Sequence, residues 1–283
     1  MGNTVFIVWR ESVEAMLVIG ILYAWLQARD EARTGLRFLW GGVAAGLGLA
    51  GLLALTMLQV QGELAGEAME YFQVGMMLLA AGLITQMVFW MRRHGRTLKR
   101  ELEAGMDRAL EQANWWGMAV LAAIAVGREG AETVIFLYGM GMGMAQGAGG
   151  QATLWGGAAL GFGAALLTFW LLSRGGRFFS WRAFFRFSEV VLLLLASALL
   201  VDGVDRMIGM GWLPPLMDPA WNSLALLDDS TRMGGLFAAL TGYRAQPALL
   251  VVLVYAAYWA VVLFLLRRLR VQGQVSAAEG EVR

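Results

Sequence analysis

The chain has 283 residues, of which 59% are hydrophobic, with a mean hydropathy of +0.60. That is too apolar for an ordinary water-soluble domain. The formal net charge of +1 gives no reason to expect a nucleic-acid partner, and with no cysteine and a single histidine, disulfides, thiolate metal sites and histidine-rich metal sites are excluded.

Windows of about 20 apolar residues are long enough to cross a bilayer. Seven can be drawn, at roughly 4–27, 37–58, 68–91, 114–139, 153–173, 185–207 and 247–267. The first follows no basic leader and precedes no small-residue cleavage pattern, so it reads as a retained span. The connectors then sort by charge. Those around Arg29–Arg37, Arg92–Arg108 and Arg174–Arg186, together with the tail from Arg267 onward, hold 17 of the 22 Lys and Arg. Connectors 59–67 and 140–152 hold none. The positive-inside rule places the N-terminus outside and the C-terminus on the cytoplasmic side of a plasma membrane. Connector 95–113 carries an apolar stripe, Leu98, Leu102, Met106, Ala109 and Ala113, which suits an interfacial or a solvated helix. Residues 271–283 are polar and small and predict a disordered cytoplasmic tail after one membrane domain over 1–270.

Span 1 contains Arg10-Glu11-Ser12-Val13-Glu14, and span 4 contains Arg128-Glu129-Gly130-Ala131-Glu132. A charged side chain at the centre of a membrane helix costs ~2.5–3.5 kcal/mol on insertion scales. Neutralising the arginine needs one glutamate, so a purely structural ion pair leaves the second glutamate of each copy unexplained. Glu11 and Glu14 share a helix face, as do Glu129 and Glu132, and each Arg stands one turn before its second Glu. Brought together, the four carboxylates offer oxygen donors alone, a set suited to a hard cation. Arg10 and Arg128 offset part of their mutual repulsion, and protons hold the remainder until a cation displaces them.

The repetition extends further. Leu39-Trp40-Gly41-Gly42-Val43-Ala44-Ala45-Gly46-Leu47-Gly48 returns as Leu154-Trp155-Gly156-Gly157-Ala158-Ala159-Leu160-Gly161-Phe162-Gly163, offset by 115 residues against 118 for the charged motif. Spans 1–3 (about 4–91) and 4–6 (about 114–207) therefore read as two copies of a three-helix unit, with span 7 added. Three is odd, so the copies are inverted in the membrane, a plan shared with secondary transporters that bind at the repeat interface. The expected fold is all-α: a polytopic membrane protein of seven transmembrane helices, 3+3 inverted plus one.

The doubled Arg-Glu-x-x-Glu motif, the seven spans and the external N-terminus resemble the high-affinity iron permease family, known from fungal ferric permeases and bacterial relatives. Met87-Val88-Phe89-Trp90-Met91 and Gly211-Trp212-Leu213-Pro214 belong to the same likeness, which covers about 1–270. The resemblance implies that Glu11, Glu14, Glu129 and Glu132 bind iron in transit. It also implies work beside an extracytoplasmic oxidase or peroxidase and an iron-binding protein. Iron, as Fe(III), is then transported substrate, and no tightly bound cofactor is expected.

Other acids fit an entry route. Glu63, Glu67 and Glu70 precede or open span 3, and Asp202 and Asp205 lie near the outer end of span 6, where negative charge would gather cations or simply cap helix ends. Glu67 and Glu70 resemble an acidic pair of the family. Glu189, near the repeat position of Glu70, is a candidate acid on the exit side. The Met140, Met142 and Met144 loop reads as a glycine-rich connector, and 208–246 as a folded external loop over the mouth. A carrier for another hard cation such as Mn(II), a proton-coupled carrier and a membrane di-iron oxidase are the competing readings. The last would need Glu-x-x-His pairs that the chain lacks.

Overall fold

A computed structural model describes residues 2–27, 32–94, 115–140, 148–173 and 181–281. Among them there is no strand. Eight helices follow in order: α1 (Gly2–Gln27), α2 (Ala32–Glu63), α3 (Glu67–His94), α4 (Trp115–Gly139), α5 (Ala148–Ser173), α6 (Trp181–Gly209), α7 (Arg232–Thr241) and α8 (Leu249–Glu281). Each of the seven expected spans lies largely within one of these helices. Connector 95–113 and most of the methionine loop lie outside the described residues.

Two expectations change. The segment 208–246 contains a helix, α7, that hydropathy windows of membrane length do not detect, because it has only ten residues. The last helix runs on to Glu281 through the stretch expected to be a disordered tail. Extending an existing helix needs no new nucleus, and Ala277, Ala278 and Glu279 are good helix formers.

Five helices contain a segment long and apolar enough to cross a membrane: Arg33–Glu63, Glu67–Arg93, Ala152–Leu171, Phe185–Gly209 and Leu249–Leu269. Their outward surfaces suit hydrocarbon. Leu47, Leu52, Leu55 and Leu58 of α2, and Leu160, Leu166 and Leu167 of α5, are at least half exposed, a surface that in water would drive aggregation. The two long helices absent from the five are α1 and α4, which carry the charged motifs.

The chain divides into two compact units, Met1–Leu79 with Arg96–Ser188 and Ala80–Gly95 with Glu189–Arg283. In the first, α1 packs against α5, α4 and α2, and α4 packs against α2. Glycine sets these approaches. A Cβ added to Gly46 would stand 2.8 Å from both Ala123 O and Gly127 N and 2.9 Å from Val126 Cβ. One added to Gly161 would stand 2.6 Å from Val5 O, 3.0 Å from Val8 Cβ and 3.1 Å from Trp9 N. Such contacts are open only to residues without side chains, the usual means of close helix association in lipid. Gly42 meets Ala119 and Ala122, and Gly130 meets Ala50, so α2 and α4 run parallel. Leu22 and Leu26 of α1 cluster with Met118 and Ala122 at the start of α4, so those two helices run antiparallel past their motifs.

In the second unit, Val201 and Val204 of α6 pack with Ala248 and with Val251 of α8. Thr85 and Tyr258 lie 3.2 Å apart across α3 and α8, and the Tyr258 hydroxyl donates to Leu193 O at 3.3 Å. The first amides of α8 are satisfied from the preceding segment, Leu249 N by Met217 O and Leu250 N by Pro215 O, which answers the unpaired donors of a helix start.

Candidate metal centre

Arg10, Glu11 and Glu14 stand on one face of α1, turned inward because α1 is flanked by α2, α4 and α5. Arg10 and Glu11 are each 1% exposed. Arg10 Nη1 donates to Glu11 Oε1 at 2.7 Å, and Nη2 pairs with Glu14. One guanidinium thus holds both acids of its own helix in a bidentate fork.

The second copy differs. Arg128 is 40% exposed, bonds Glu132 Oε1 at 2.8 Å through Nε, and reaches Glu129 only at 3.9 Å. Glu129 is left without a close guanidinium, and it turns toward α1. One carboxylate oxygen from each of Glu11, Glu14 and Glu129 lies within 4.8 Å of the other two. Glu132 stands outside that trio on Arg128, though within electrostatic range of Glu11 and Glu14. The second oxygens of Glu11, Glu129 and Glu132 are buried and accept no hydrogen bond among the described residues. Leaving such acceptors unmet is costly, and carboxylate oxygens facing one another between two packed helices fit a cation that would sit among them.

The expected quartet is therefore gathered as three, with the fourth held one guanidinium away. The physical reason is the position of Arg128. It lies toward the outside of the bundle, and its ion pair draws Glu132 with it. Trp9, which the motif reading passed over, donates from Nε1 to Thr168 Oγ1 of α5 at 2.9 Å and so fixes the turn that carries Arg10. No local signal could name Thr168, which is 159 residues away.

The remaining acids separate by partner. Glu63, Glu67 and Glu70 are exposed around the start of α3, and Tyr71 donates to Glu67 at 3.3 Å. Asp202 is bonded by Arg244 at 2.6 Å, whereas Asp205 is exposed. Glu189 pairs with Arg92, joining the starting turns of α6 to the end of α3. Arg92 and Arg244 were legible only as connector charges, because their partners are 97 and 42 residues away.

Apolar helices of membrane length define a multi-pass membrane protein, and inside one of its units three carboxylates converge in an arrangement able to hold a metal ion. The chain belongs to the iron permease FTR1 family, whose sequence profile matches residues 1–276. It is 29% identical over 254 residues to the ferrous iron permease EfeU of Escherichia coli O6:K15:H31 (strain 536 / UPEC), covering 89% of this chain and 90% of that one. It is 28% identical over 280 residues to the ferrous iron permease EfeU of Yersinia pestis, covering 98% and 97%. No solved structure matches. The protein is thus a transporter of the iron permease class and not an enzyme, with iron as its substrate.

Proposed function

We propose that the chain imports iron across the plasma membrane through the carboxylates of its two Arg-Glu-x-x-Glu motifs. The observation that carries this reading is the approach of Glu11, Glu14 and Glu129 to within 4.8 Å across two helices. In this account the three form the standing part of the site. Glu132 leaves Arg128 to join them as the ion arrives, which gives four carboxylates for a hard cation. Arg10 keeps Glu11 and Glu14 together when the ion departs, and limits affinity so that the ion can leave.

The inverted repeat is supported by equivalence in the packing. Gly46 meets Ala123, Val126 and Gly127, and Gly161 meets Val5, Val8 and Trp9. These are corresponding residues under the offsets of the two copies, so each copy's first helix seats on the other copy's second. The antiparallel pass of α1 and α4 agrees with copies of opposite orientation. With the connector charges, it supports an external N-terminus, a cytoplasmic C-terminus and seven spans in a bacterial inner membrane. Exposed Glu63, Glu67 and Glu70 then face the outside, where an oxidase or peroxidase and an iron-binding protein would deliver the ion.

The all-oxygen donor set favours Fe(III). The names of the two relatives favour a second reading, Fe(II). Radioiron uptake into proteoliposomes, with ascorbate and without it, separates the two, and Mn(II) as competitor tests the wider hard-cation reading. Glu14→Ala and Glu132→Ala are expected to abolish uptake while the protein remains folded in the membrane. Normal uptake by both variants would overturn the assignment.

A further inference from the structure

Residues 210–248 connect α6 to α8, and their place along α6 is unexpected for an external loop. Thr231 caps the start of α7, its Oγ1 accepting from Gly234 N at 3.1 Å. The helix stops at Gly242, whose φ is 75° and whose N–H donates to Ala238 O at 2.8 Å. A Cβ built on Gly242 would lie 3.1 Å from Ala198 Cα, so this stop abuts the backbone of α6. Ala198 lies three turns before the end of α6 at Gly209, about 16 Å along the axis, and Val190–Val201 contains no charged residue. From there the chain climbs back. Arg244 reaches Asp202, and Ala248 packs with Val201, Val204 and Val251.

The point of deepest contact is therefore the far end of α7, within the apolar part of a membrane helix. The returning backbone is satisfied by protein, as it must be where water is absent. Ser223 N donates to Ala245 O at 2.9 Å, Ala220 N to Pro247 O at 2.8 Å, and the Tyr243 hydroxyl to Leu227 O at 3.0 Å. On α7 itself, Gly234 and Ala238 form the buried face. Met233, Leu236 and Phe237 point outward, 76%, 45% and 48% exposed. Residues 233–241 carry no charge, while Asp228 and Asp229 lie before the opposite end of α7 from Gly242. Trp212 and Trp221, each about half exposed, suit the level of the lipid headgroups. Ten residues give about 15 Å, half the ~30 Å hydrocarbon thickness.

We propose that 210–248 forms a re-entrant hairpin and that α7 is a half-helix inserted in the outer leaflet, with Met233, Leu236 and Phe237 against lipid acyl chains. The proposal rests on the topology given above for its choice of leaflet.

The absence of native cysteine makes the test direct. Single variants Ser230→Cys, Met233→Cys, Leu236→Cys and Phe237→Cys of the full chain are reconstituted in phosphatidylcholine vesicles and exposed to a charged, impermeant maleimide. Ser230→Cys, at the polar end, should react readily, and Leu236→Cys and Phe237→Cys about tenfold or more slowly. Nitroxides at the same sites should show oxygen access rising over nickel-chelate access from 230 to 237. Equal maleimide rates at 230, 236 and 237 overturn insertion and leave a wet surface open to a protein partner. Slow reaction at 236 and 237 in native membranes alone, with fast reaction in vesicles, also overturns it in favour of such a partner. A Ser230→Cys that is shielded like the others overturns the hairpin's polar rim. Labelling of Ser230→Cys only from the C-terminal side refutes the leaflet but leaves insertion standing. Should Leu236→Cys fail to assemble, Met233→Cys, the most exposed of the three, replaces it.

Discussion

Arg10 and Arg128 occupy the same place in the two motifs and do different work. Arg10 is enclosed and grips both acids of its helix. Arg128 is half open and grips one, leaving Glu129 to complete the trio. Removing one partner of a buried charge pair leaves the other uncompensated, at about 3–5 kcal/mol. Arg10→Ala should accordingly lower the detergent-solubilised unfolding midpoint markedly, and Arg128→Ala, which is less enclosed and releases one closely held acid rather than two, should lower it less. Equal losses would contradict the asymmetry. Glu129→Gln keeps the side chain's shape and removes a carboxylate that its own arginine reaches only at 3.9 Å. It should depress iron uptake at least as strongly as Glu11→Gln, with little change in stability, measured by uptake alongside thermal unfolding. The candidate acids were legible as a list because charge within an apolar run is conspicuous. Their grouping into three and one was not, since it depends on how far Arg128 stands from the bundle interior, and helical spacing places both arginines alike.

At the scale of helices, α2 and α5 owe their positions to glycines at their contacts, Gly42 and Gly46 on the first and Gly161 on the second. Inserting volume into a closed contact costs about 1–3 kcal/mol or more, and here the obstructing atoms are backbone, which cannot rotate aside. Gly46→Leu and Gly161→Leu should each prevent stable insertion or sharply reduce monodisperse protein on size-exclusion chromatography. Gly48→Leu, where an added Cβ meets nothing within 4 Å, should be tolerated. The repeated Leu-Trp-Gly-Gly stretches were readable as a pair. Which helix each would meet was not readable. α7 escaped notice for a different reason: ten residues carry too little hydropathy to stand out from a loop, and what defines the element is its contact with Ala198, 44 residues earlier.

For the whole molecule, the connector charges predict sidedness. Ala65→Cys and Ala145→Cys should be labelled by an impermeant maleimide added outside intact spheroplasts, and His94→Cys only after the membrane is opened. Reversed labelling would invert the assignment of entry and exit. Composition, the seven apolar windows, the doubled charged motif and the offset glycine stretches were determined by the sequence alone, because each is a local pattern with a direct cost or benefit in lipid. The tertiary structure decided which carboxylates meet, that Asp202 and Glu189 are engaged by Arg244 and Arg92, and that the last connector folds back along α6. Those outcomes depend on distances between residues far apart in the chain, and an apolar helix presents many nearly equivalent faces to its neighbours. Only the packed arrangement selects among them.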